Sequence, residues 1–572
     1  MTGTGQLSPM TTEGAESGGF DAWRFVRASL IIALILIVSA FAFDAGLRIR
    51  RWAWDYSQGA HFRGDVNNAF YWGQQSDTFG LFHVYDAVDD GRTPDPNKKL
   101  DYPPLRLVMA TLWERWTVQH FPGATEWIDD YGFTLPMLRL NTMAETASCI
   151  LIFFLIRLWR IRYDNARRRK DHPPALFRGV APGMIGALLF WFNPAIIWDG
   201  HCWPQWDVWP IPFFVAAVLL ASVDFWMPAG VCLAIGASLK GQLLLAAPVM
   251  LIWPIVRLQF GRAIELVAGF VLTTTLIALP FMHPDPAAWR WIAAALIALV
   301  CIAPIVFRVK LRTLALVVLA VISLLSAWPW EARGLPWQYR LIPLGILALT
   351  VPWRFFGLRL RVAAFALALS GLILLLMPLF NASSNWFTYG FEFGTTKFGF
   401  MTTGSGSYNI PRMMMVYLQW PDRPTDLVTV PFIAAQITFT TLTRIVYAFT
   451  LLLCGIGAAI QDRRRDPRFL IAMSAPWLLF FLILTQMHGR YTIWAAGLTA
   501  LMAGAGVGVT LLGILVTLVS LLGIIHNQLL FSRDWSPDTL STLQGLDPSL
   551  GWILVLVAGI YLYLAVMPRI RD

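Results

Sequence analysis

The sequence is poor in charged residues and in cysteine. Only 14% of its 572 residues are charged, whereas a soluble protein of this length carries roughly 25%. The five cysteines show no spacing typical of a zinc site or of a disulfide framework. Neither a phosphate-binding loop nor a dinucleotide-binding glycine motif is present. These absences argue against a soluble enzyme, a disulfide-stabilised secreted domain and a nucleotide-binding site.

Hydrophobic residues make up 57% of the chain and occur in long blocks. A transmembrane helix needs about 20 largely apolar residues, and several blocks approach or reach that length. The pattern predicts an all-α, polytopic transmembrane fold with about 14–16 hydrophobic segments and little chain left for a soluble domain. Representative blocks are Ala28–Phe43, Met184–Ile197, Ile264–Leu279, Val362–Leu379 and Ile553–Met567.

Basic residues cluster between the hydrophobic segments and indicate the orientation of the chain. Short loops rich in lysine and arginine stay on the cytoplasmic side, and even numbers of spans separate the clusters. Both termini are then predicted to be cytoplasmic. Nucleic-acid binding, the other interpretation of basic runs, is disfavoured because each cluster closes a hydrophobic segment. The clusters are Arg157–Lys170, Arg257–Arg262, Arg308–Arg312, Arg354–Arg361 and Arg463–Arg468.

The N-terminal region is predicted to contain a tail followed by a first span. Residues 1–27, rich in Gly, Ser and Thr at their start, are expected to form a disordered cytoplasmic tail. The apolar run Ala28–Ala42 ends in Ala-Phe-Ala, which resembles a signal-peptide cleavage site. The leader before it is long and weakly basic, so we favour an uncleaved span.

Two long polar stretches are predicted to lie on the non-cytoplasmic face. Residues 49–102 are expected to form a helical first outer loop, and residues 380–430 are long enough to form a lid or an acceptor site. Shorter outer loops are predicted at Trp198–Asp207 and Met487–Tyr491. Any catalytic or binding chemistry is therefore expected on that face.

Polar side chains form four clusters, and the fourth is split between Lys240-Gly241-Gln242, which is predicted to interrupt the apolar run Ala229–Trp253, and His488–Tyr491. Ionisable groups at membrane depth are costly and are functional candidates by default. Ordinary roles compete for some of them. Asp65 could be a helix N-cap, and Lys240 could extend towards the interface. His488 and Arg490 could be interfacial anchors. The four clusters are Asp65; Asp101 and Tyr102; Asp199, His201, Gln205 and Asp207; and Lys240 and Gln242 with His488, Arg490 and Tyr491.

These motifs resemble those of membrane glycosyltransferases of the GT-C superfamily. Gly64-Asp65 followed by Asp101–Leu105, which reads Asp-Tyr-Pro-Pro-Leu, is similar to the first outer loop of the dolichyl-phosphate-glucose-dependent glucosyltransferases that extend the N-glycan precursor. His488–Tyr491 is similar to the His-Glu-Arg-Tyr element of GT-C enzymes. Within Leu233–Pro248, a lysine followed by glutamine also resembles that family.

The resemblance divides the chain and points to its source. It covers residues 28–260, predicted to be a core GT-C-type module, whereas residues 261–572 are predicted to be a variable transmembrane module. The loop Trp203–Asp207 looks more like the Gly-Gln-x-Asp loop of bacterial relatives, and the eukaryotic Arg-Gly-Leu-Phe-Glu-Asp-type motif is not visible. A bacterial plasma membrane is therefore favoured over the endoplasmic reticulum.

The resemblance implies an inverting glycosyltransferase that moves a hexose from a polyprenyl-phosphate donor to an acceptor hydroxyl at the non-cytoplasmic face. Asp65 would be the catalytic base, since direct displacement needs one base, whereas hydrolases use two carboxylates. Arg490 would bind the donor phosphate bidentately, with His488 and Tyr491 beside it. The residues expected to bind substrates are Asp101, Tyr102, Asp199, His201, Gln205, Asp207, Lys240 and Gln242.

The expected ligands follow from this chemistry. They are a polyprenyl-phosphate sugar, a glycan or lipid-linked glycan acceptor, and membrane lipids, with no nucleic acid. No cofactor and no metal ligands are predicted, although the acidic and histidine side chains of this face could hold a divalent cation.

A lipid or sugar transporter or flippase is the main alternative, because it also needs many spans and polar residues at depth. Against it, the polar residues gather on one face and no internal repeat is detected. A non-catalytic membrane scaffold is the second alternative. An enzyme requires Asp65, Asp101 and Arg490 to line one cavity, with Asp65 within about 15 Å of Arg490 to fit a phospho-sugar.

Overall fold

The computed structural model divides the chain into two compact units, Met1–Ile49 and Arg50–Asp572. Predictions for residues 1–21 and for the cluster Arg308–Arg312 lie outside the described residues. The structure describes residues 22–61, 63–92, 100–167, 177–283, 357–377, 381–392, 406–423, 425–429 and 436–567.

Helices account for nearly all secondary structure in the described residues. They are α1 (Ala22–Tyr56), α2 (Arg63–Phe79), α3 (Val84–Asp89), α4 (Pro104–His120), α5 (Tyr131–Ala166), α6 (Val180–Trp191), α7 (Pro194–Ile197), α8 (Pro210–Ser222), α9 (Trp226–Leu239), α10 (Leu243–Ala246), α11 (Pro248–Val256), α12 (Phe260–Ala278), α13 (Leu358–Leu376), α14 (Asn385–Phe387), α15 (Ile410–Tyr417), α16 (Phe439–Arg464), α17 (Phe469–Ile483), α18 (Ile493–Leu498), α19 (Val507–Phe531), α20 (Pro537–Leu546) and α21 (Gly551–Val566).

Short helical turns and one hairpin complete the described secondary structure. Strands β1 (Leu427–Thr429) and β2 (Gln436–Thr438) pair antiparallel, with Leu427 opposite Thr438. The turns are π-helical at Trp198–Cys202 and Thr388–Glu392, and 3₁₀ at Leu279–Phe281, Gly489–Thr492 and Thr499–Gly504.

The predicted all-α, polytopic membrane fold is confirmed. Among the described residues, six helical stretches are long and apolar enough to cross a membrane, and the bent pair α20 and α21, at 53°, would make a seventh. Shorter apolar helices include α8, α9 and α17. The predicted number of hydrophobic segments stays a prediction, because residues 284–356 are not described. The six stretches are Ser29–Tyr56, Tyr131–Ala166, Val180–Cys202, Phe260–Phe281, Phe439–Arg464 and Val507–Phe531.

The first predicted outer loop is helical, as expected. It contains α2 and α3 and leads into α4. Pro103 is extended, with φ −66° and ψ 164°, and Pro104 takes the first helical position of α4. A proline costs little there because that N–H has no intrahelical partner. Helix α4 is continuous over 17 residues, and it packs so closely on α2 that a Cβ at Gly73 would overlap Glu114.

The predicted interruption near Lys240 is also present. Helix α9 ends at Leu239, Lys240 is extended with φ −151° and ψ 109°, and α10 begins at Leu243. An extended residue leaves the helical path, so its side chain is no longer tied to a helix face. The break therefore frees the Lys240 ammonium to meet groups from other elements.

Candidate active site

Asp65 and Arg490 form an ion pair across the fold. Asp65 lies in the first turn of α2, and Arg490 lies in the 3₁₀ turn Gly489–Thr492, 425 residues further along the chain. An Nη1–H of Arg490 donates to Oδ2 of Asp65. The Asp65 side chain is 27% exposed, whereas that of Arg490 is 7% exposed. Asp65 therefore faces a cation as well as solvent, and as the third residue of α2 it is not the helix N-cap.

Asp207 joins this pair to Lys240. The Lys240 Nζ donates to Asp207 Oδ1, and the Arg490 Nε lies 3.4 Å from Asp207 Oδ2. Burial would raise the pKa of Asp207, but Lys240 and Arg490 outweigh it and lower that pKa. We call Asp65, Asp207, Lys240 and Arg490 the Arg490 cluster. Lys240 is 1% exposed, so it does not extend to an interface.

The Asp-Tyr-Pro-Pro motif borders the Arg490 cluster. The Lys240 Nζ donates to the Tyr102 hydroxyl at 3.3 Å, and the Tyr85 hydroxyl donates to the Tyr102 carbonyl at 2.6 Å. Asp101 precedes this tyrosine and is half-buried. Burial, followed by the charge of Asp65, raises the pKa of Asp101 to about 6. Asp101 therefore lies within the electrostatic range of the cluster.

His488 and Tyr491 support Arg490 from its own turn. The Arg490 backbone N–H donates to His488 Nδ1 at 3.3 Å. Burial, and then the nearby Arg490, hold the pKa of His488 well below its usual value, so the ring is neutral at physiological pH. It can offer one N–H but no charge to an anion. The Tyr491 ring stacks on Trp494 with centroids 5.1 Å apart, and burial raises the Tyr491 pKa to about 12.

His201 faces away from the Arg490 cluster. Its Nε2 lies 3.2 Å from Glu145 Oε1. The Arg50 Nε donates to Glu145 Oε2 at 2.5 Å, and its Nη2 donates to the Trp191 carbonyl at 3.0 Å. We call Arg50, Glu145 and His201 the Glu145 network. In this structure His201 therefore anchors the loop that carries Asp207, and does not meet the groups proposed to react.

Three other predicted residues make no side-chain hydrogen bond within the described part of the chain. Both carboxylate oxygens of Asp199 and both amide atoms of Gln205 are buried without such a partner. The Gln205 backbone N–H donates to the Asp199 carbonyl at 3.0 Å. Gln242 is half-buried just beyond the break at Lys240. Asp199 and Gln205 thus retain polar atoms that a substrate hydroxyl could satisfy.

Two buried charged groups were not predicted from the sequence. Arg106, in the first turn of α4, lies under the Trp206 ring with Cζ 3.4 Å from its centroid. Glu145, at the centre of the Glu145 network, is fully buried on α5. An arginine next to the Pro-Pro motif and a glutamate within an apolar span were both visible signals. Neither residue belongs to a motif of the family that the sequence resembles.

The described parts of the second predicted outer loop border the same region. Gly390 packs so closely on Pro103 that a Cβ there would lie 3.1 Å from the Pro103 Cα. Further along, the Ser407 hydroxyl donates to the Met487 carbonyl at 3.1 Å, next to His488. The predicted role of this loop as a lid or acceptor site stays a prediction.

One group of side chains in the described residues could hold a metal ion, and it lies outside the predicted site. It consists of His83, Asp86 and His283. The two imidazoles stack with centroids 3.6 Å apart and planes 13° apart, so their in-plane lone pairs do not converge. Asp86 Oδ1 already accepts hydrogen bonds from Ser383 and Asn385. This arrangement is a poor fit to a tetrahedral metal site.

A comparison with known protein families finds a match over part of the chain. The family model for the ALG3 protein matches residues 206–296, a segment that includes Asp207 and Lys240 but neither Asp65 nor Arg490. That family comprises dolichyl-phosphate-mannose-dependent mannosyltransferases of the GT-C class. No curated protein matches the chain. Over residues 206–296 the chain is therefore similar to membrane glycosyltransferases of the GT-C class, and its apolar helices are those of a multi-pass membrane protein.

Proposed function

We propose that the protein transfers a hexose, with inversion, from a polyprenyl-phosphate donor to a hydroxyl of a glycan or lipid-linked glycan. The reaction would take place on the non-cytoplasmic face of a bacterial plasma membrane. Asp65 would be the base, and Arg490 would bind the donor phosphate. The charge pattern of the loops supports the choice of face. No cofactor is required by this chemistry.

The observation that carries the proposal is the Arg490 cluster. It brings a partly exposed carboxylate, Asp65, into contact with a buried guanidinium, Arg490. A second cation, Lys240, is held nearby on Asp207. A base beside two cations is the arrangement that phosphate departure with hydroxyl attack requires.

The proposed step is a single displacement at the anomeric carbon. The acceptor oxygen forms a bond to that carbon while the bond from the carbon to the phosphate oxygen breaks. Asp65 takes the hydroxyl proton, and the phosphate leaves with the bonding electron pair. Charge grows on the phosphate as the bond breaks, and Arg490 and Lys240 offset it.

The ion pair between Asp65 and Arg490 would couple donor binding to the activity of the base. A phosphate that binds Arg490 competes with the Asp65 carboxylate for the same N–H groups. Once displaced, Asp65 no longer shares its lone pairs with a cation and can accept a proton. Asp207 would keep Lys240 and Arg490 in position during this exchange.

The transferred sugar is a hexose, for which glucose and mannose are the two candidates. The Asp-Tyr-Pro-Pro-Leu motif resembles glucosyltransferases, whereas the matched family uses a mannose donor. Both donors are hexoses linked to a polyprenyl phosphate, so the same phosphate chemistry serves either. We therefore propose a hexosyltransferase and leave the choice between glucose and mannose to the donor assay.

The proposal is tested with purified protein in lipid vesicles. The protein is incubated with polyprenyl-phosphate glucose, polyprenyl-phosphate mannose or neither, and the release of polyprenyl phosphate and the anomeric configuration of the product are measured. We expect release with one hexose donor and an inverted product. Movement of a labelled lipid or sugar across the vesicle membrane without bond cleavage would instead establish a transporter.

A further inference from the structure

Arg106 is a buried cation without an anionic partner in the described part of the chain. It lies in the first turn of α4, two residues after the Pro103-Pro104 pair, and its side chain is 2% exposed. Neither terminal nitrogen, Nη1 or Nη2, makes a hydrogen bond there. An arginine stays charged in proteins, so this guanidinium carries an unneutralised positive charge.

Aromatic rings hold the Arg106 guanidinium in place. Its Cζ lies 3.4 Å from the centroid of Trp206, 4.7 Å from that of Trp209 and 5.3 Å from that of Tyr102. Such contacts stabilise a cation, but less than the burial of an uncompensated charge costs. In the ligand-free protein this side chain is therefore expected to lower stability, which is a sign of a functional group.

Arg106 lies beside the Arg490 cluster. The Arg106 Cζ is 5.3 Å and the Lys240 Nζ 4.9 Å from the centroid of the same Tyr102 ring, so the two cations are at most about 10 Å apart. Burial lowers the pKa of Arg106, while Tyr102, Asp207 and Asp65 raise it. Both cations are thus within electrostatic range of one anion.

Three cations, Lys240, Arg490 and Arg106, differ in what an incoming anion must displace. Lys240 is bound to Asp207, and Arg490 is shared between Asp65 and Asp207. Arg106 forms no ion pair with a carboxylate of the described residues, so none has to be displaced from it. An anion therefore gains its full interaction with Arg106, whereas it must compete with a protein carboxylate at Lys240 or Arg490.

We propose that Arg106 binds the phosphate of the polyprenyl-phosphate sugar and stabilises the negative charge that grows on this phosphate as it leaves the sugar. This inference rests on the proposed function. The sugar phosphodiester carries one negative charge, and the released phosphate carries about −1.5 to −2 at pH 7. An additional unpaired cation therefore stabilises the products and the transition state more than the bound donor.

The first test measures thermal unfolding of the purified protein without ligand. Arg106→Met keeps most of the side-chain volume and removes the charge, so we expect it to raise the unfolding midpoint. Arg106→Lys keeps the charge and is expected to leave the midpoint at or below that of the wild type. A lower midpoint for Arg106→Met, or failure of that variant to fold, would mean that Arg106 is structural and would overturn the inference.

The second test measures binding with farnesyl phosphate, farnesol and inorganic phosphate as separate probes. We expect the wild type to bind farnesyl phosphate more tightly than farnesol. Arg106→Met should weaken farnesyl phosphate about 10- to 100-fold, the loss expected for a charge-assisted hydrogen bond, and leave farnesol unchanged. Arg106→Lys should recover part of the affinity. If inorganic phosphate also binds in an Arg106-dependent way, the phosphate group alone is sufficient for binding. If only farnesyl phosphate does so, binding requires the lipid chain as well.

Arg115 provides the matched control. It lies on the same helix, but its side chain is 52% exposed and paired with Asp77. Arg115→Gln should leave farnesyl phosphate binding unchanged, because a solvated ion pair contributes little. Equal losses in Arg115→Gln and Arg106→Met would point to general electrostatic attraction and overturn the inference.

The two proposals can fail separately. Arg106-dependent phosphate binding without turnover of any hexose donor would refute the proposed function and leave this inference standing. Normal turnover and normal phosphate binding in Arg106→Met would refute the inference and leave the proposed function standing.

Discussion

The Glu145 network and the Arg490 cluster are both buried and charged, but they are satisfied to different degrees. In the Glu145 network, both carboxylate oxygens of Glu145 have a partner, Arg50 on one side and His201 on the other. Around the Arg490 cluster, Arg106, Asp199 and Gln205 retain buried atoms without hydrogen-bond partners in the described residues. Completed polar networks stabilise one structure, whereas incomplete ones cost stability. The satisfied Glu145 network therefore supports the loop that carries Asp207, whereas the unsatisfied groups around the Arg490 cluster mark where a ligand would bind.

The largest effect should come from removing the proposed base. Asp65→Asn keeps an oxygen that can accept from Arg490 but is a very weak base, so turnover should fall by about 10²–10⁴-fold. The release of polyprenyl phosphate from the hexose donor measures it, with the unfolding midpoint checked in parallel. Asp77→Asn is the control, since Asp77 lies on the same helix in an exposed pair with Arg115. Retention of wild-type turnover by Asp65→Asn would refute the base assignment.

Disrupting the Glu145 network should lower the free energy of unfolding and leave the rate of sugar transfer nearly unchanged. Glu145→Gln leaves the buried Arg50 without a charged partner, which is expected to cost about 3–5 kcal/mol. Chemical or thermal unfolding measures the loss, and turnover per folded molecule should change far less. Glu126→Gln, at an exposed position, serves as the control. Normal stability with lost turnover would instead place Glu145 in the reaction.

Arg490→Ala should weaken the binding of the donor phosphate to the Arg490 cluster. Loss of charge-assisted hydrogen bonds is expected to weaken donor binding and to lower turnover, each by about 10- to 100-fold. Binding of polyprenyl-phosphate hexose and its turnover are measured on the same preparation. Arg359→Ala is the control, because Arg359 is an exposed arginine paired with Asp224. Unchanged donor affinity would remove Arg490 from the phosphate site.

The smallest effect concerns Asp101 and its dependence on pH. Burial raises the pKa of Asp101 from the usual aspartate value of 3.8 to about 6, so the folded protein holds the proton more tightly than the unfolded chain does. The stability from this proton is present below about pH 4 and is lost as pH rises through about 6.

Asp101→Asn mimics the protonated carboxyl at every pH. It should therefore raise the unfolding midpoint at pH 7.5 by about 1–4 °C, and by less at pH 4.5, where the wild-type carboxyl is already largely protonated. Asp90→Asn, at an exposed position, should show no such difference between the two pH values. An equal rise in the unfolding midpoint of Asp101→Asn at both pH values would mean that ionisation of the Asp101 carboxyl does not cause the rise.

Local features of the site were predictable from the sequence. The start of α4 at Pro104 follows from two adjacent prolines, and the break after Leu239 was expected at a lysine inside an apolar run. The residue types of the Arg490 cluster were also identified, because charged groups near apolar segments are conspicuous. These predictions depend on short stretches of chain, whose conformation and polarity are set by neighbouring residues.

The partners of those residues were not predictable in the same way. His201 was grouped with Asp207 because they lie in one loop, yet its ring meets Glu145 on α5. Arg106 was not among the predicted site residues, although it lies under Trp206 and shares the Tyr102 ring with Lys240. Apolar helices of the same sequence pattern can pack against one another in many ways. The distance between two residues along the chain does not tell which of these packings forms.

The sequence by itself determined the membrane fold and the inventory of charged groups, because the burial of about 20 apolar residues and the cost of a charge among them are local properties. Only the tertiary structure decided which charges meet. The contact between Asp65 and Arg490 joins residues 425 positions apart, and the isolation of Arg106 depends on the rings that pack around it. Pairing depends on how helices and loops pack, and a charge's partner determines whether it supports the fold or awaits a ligand.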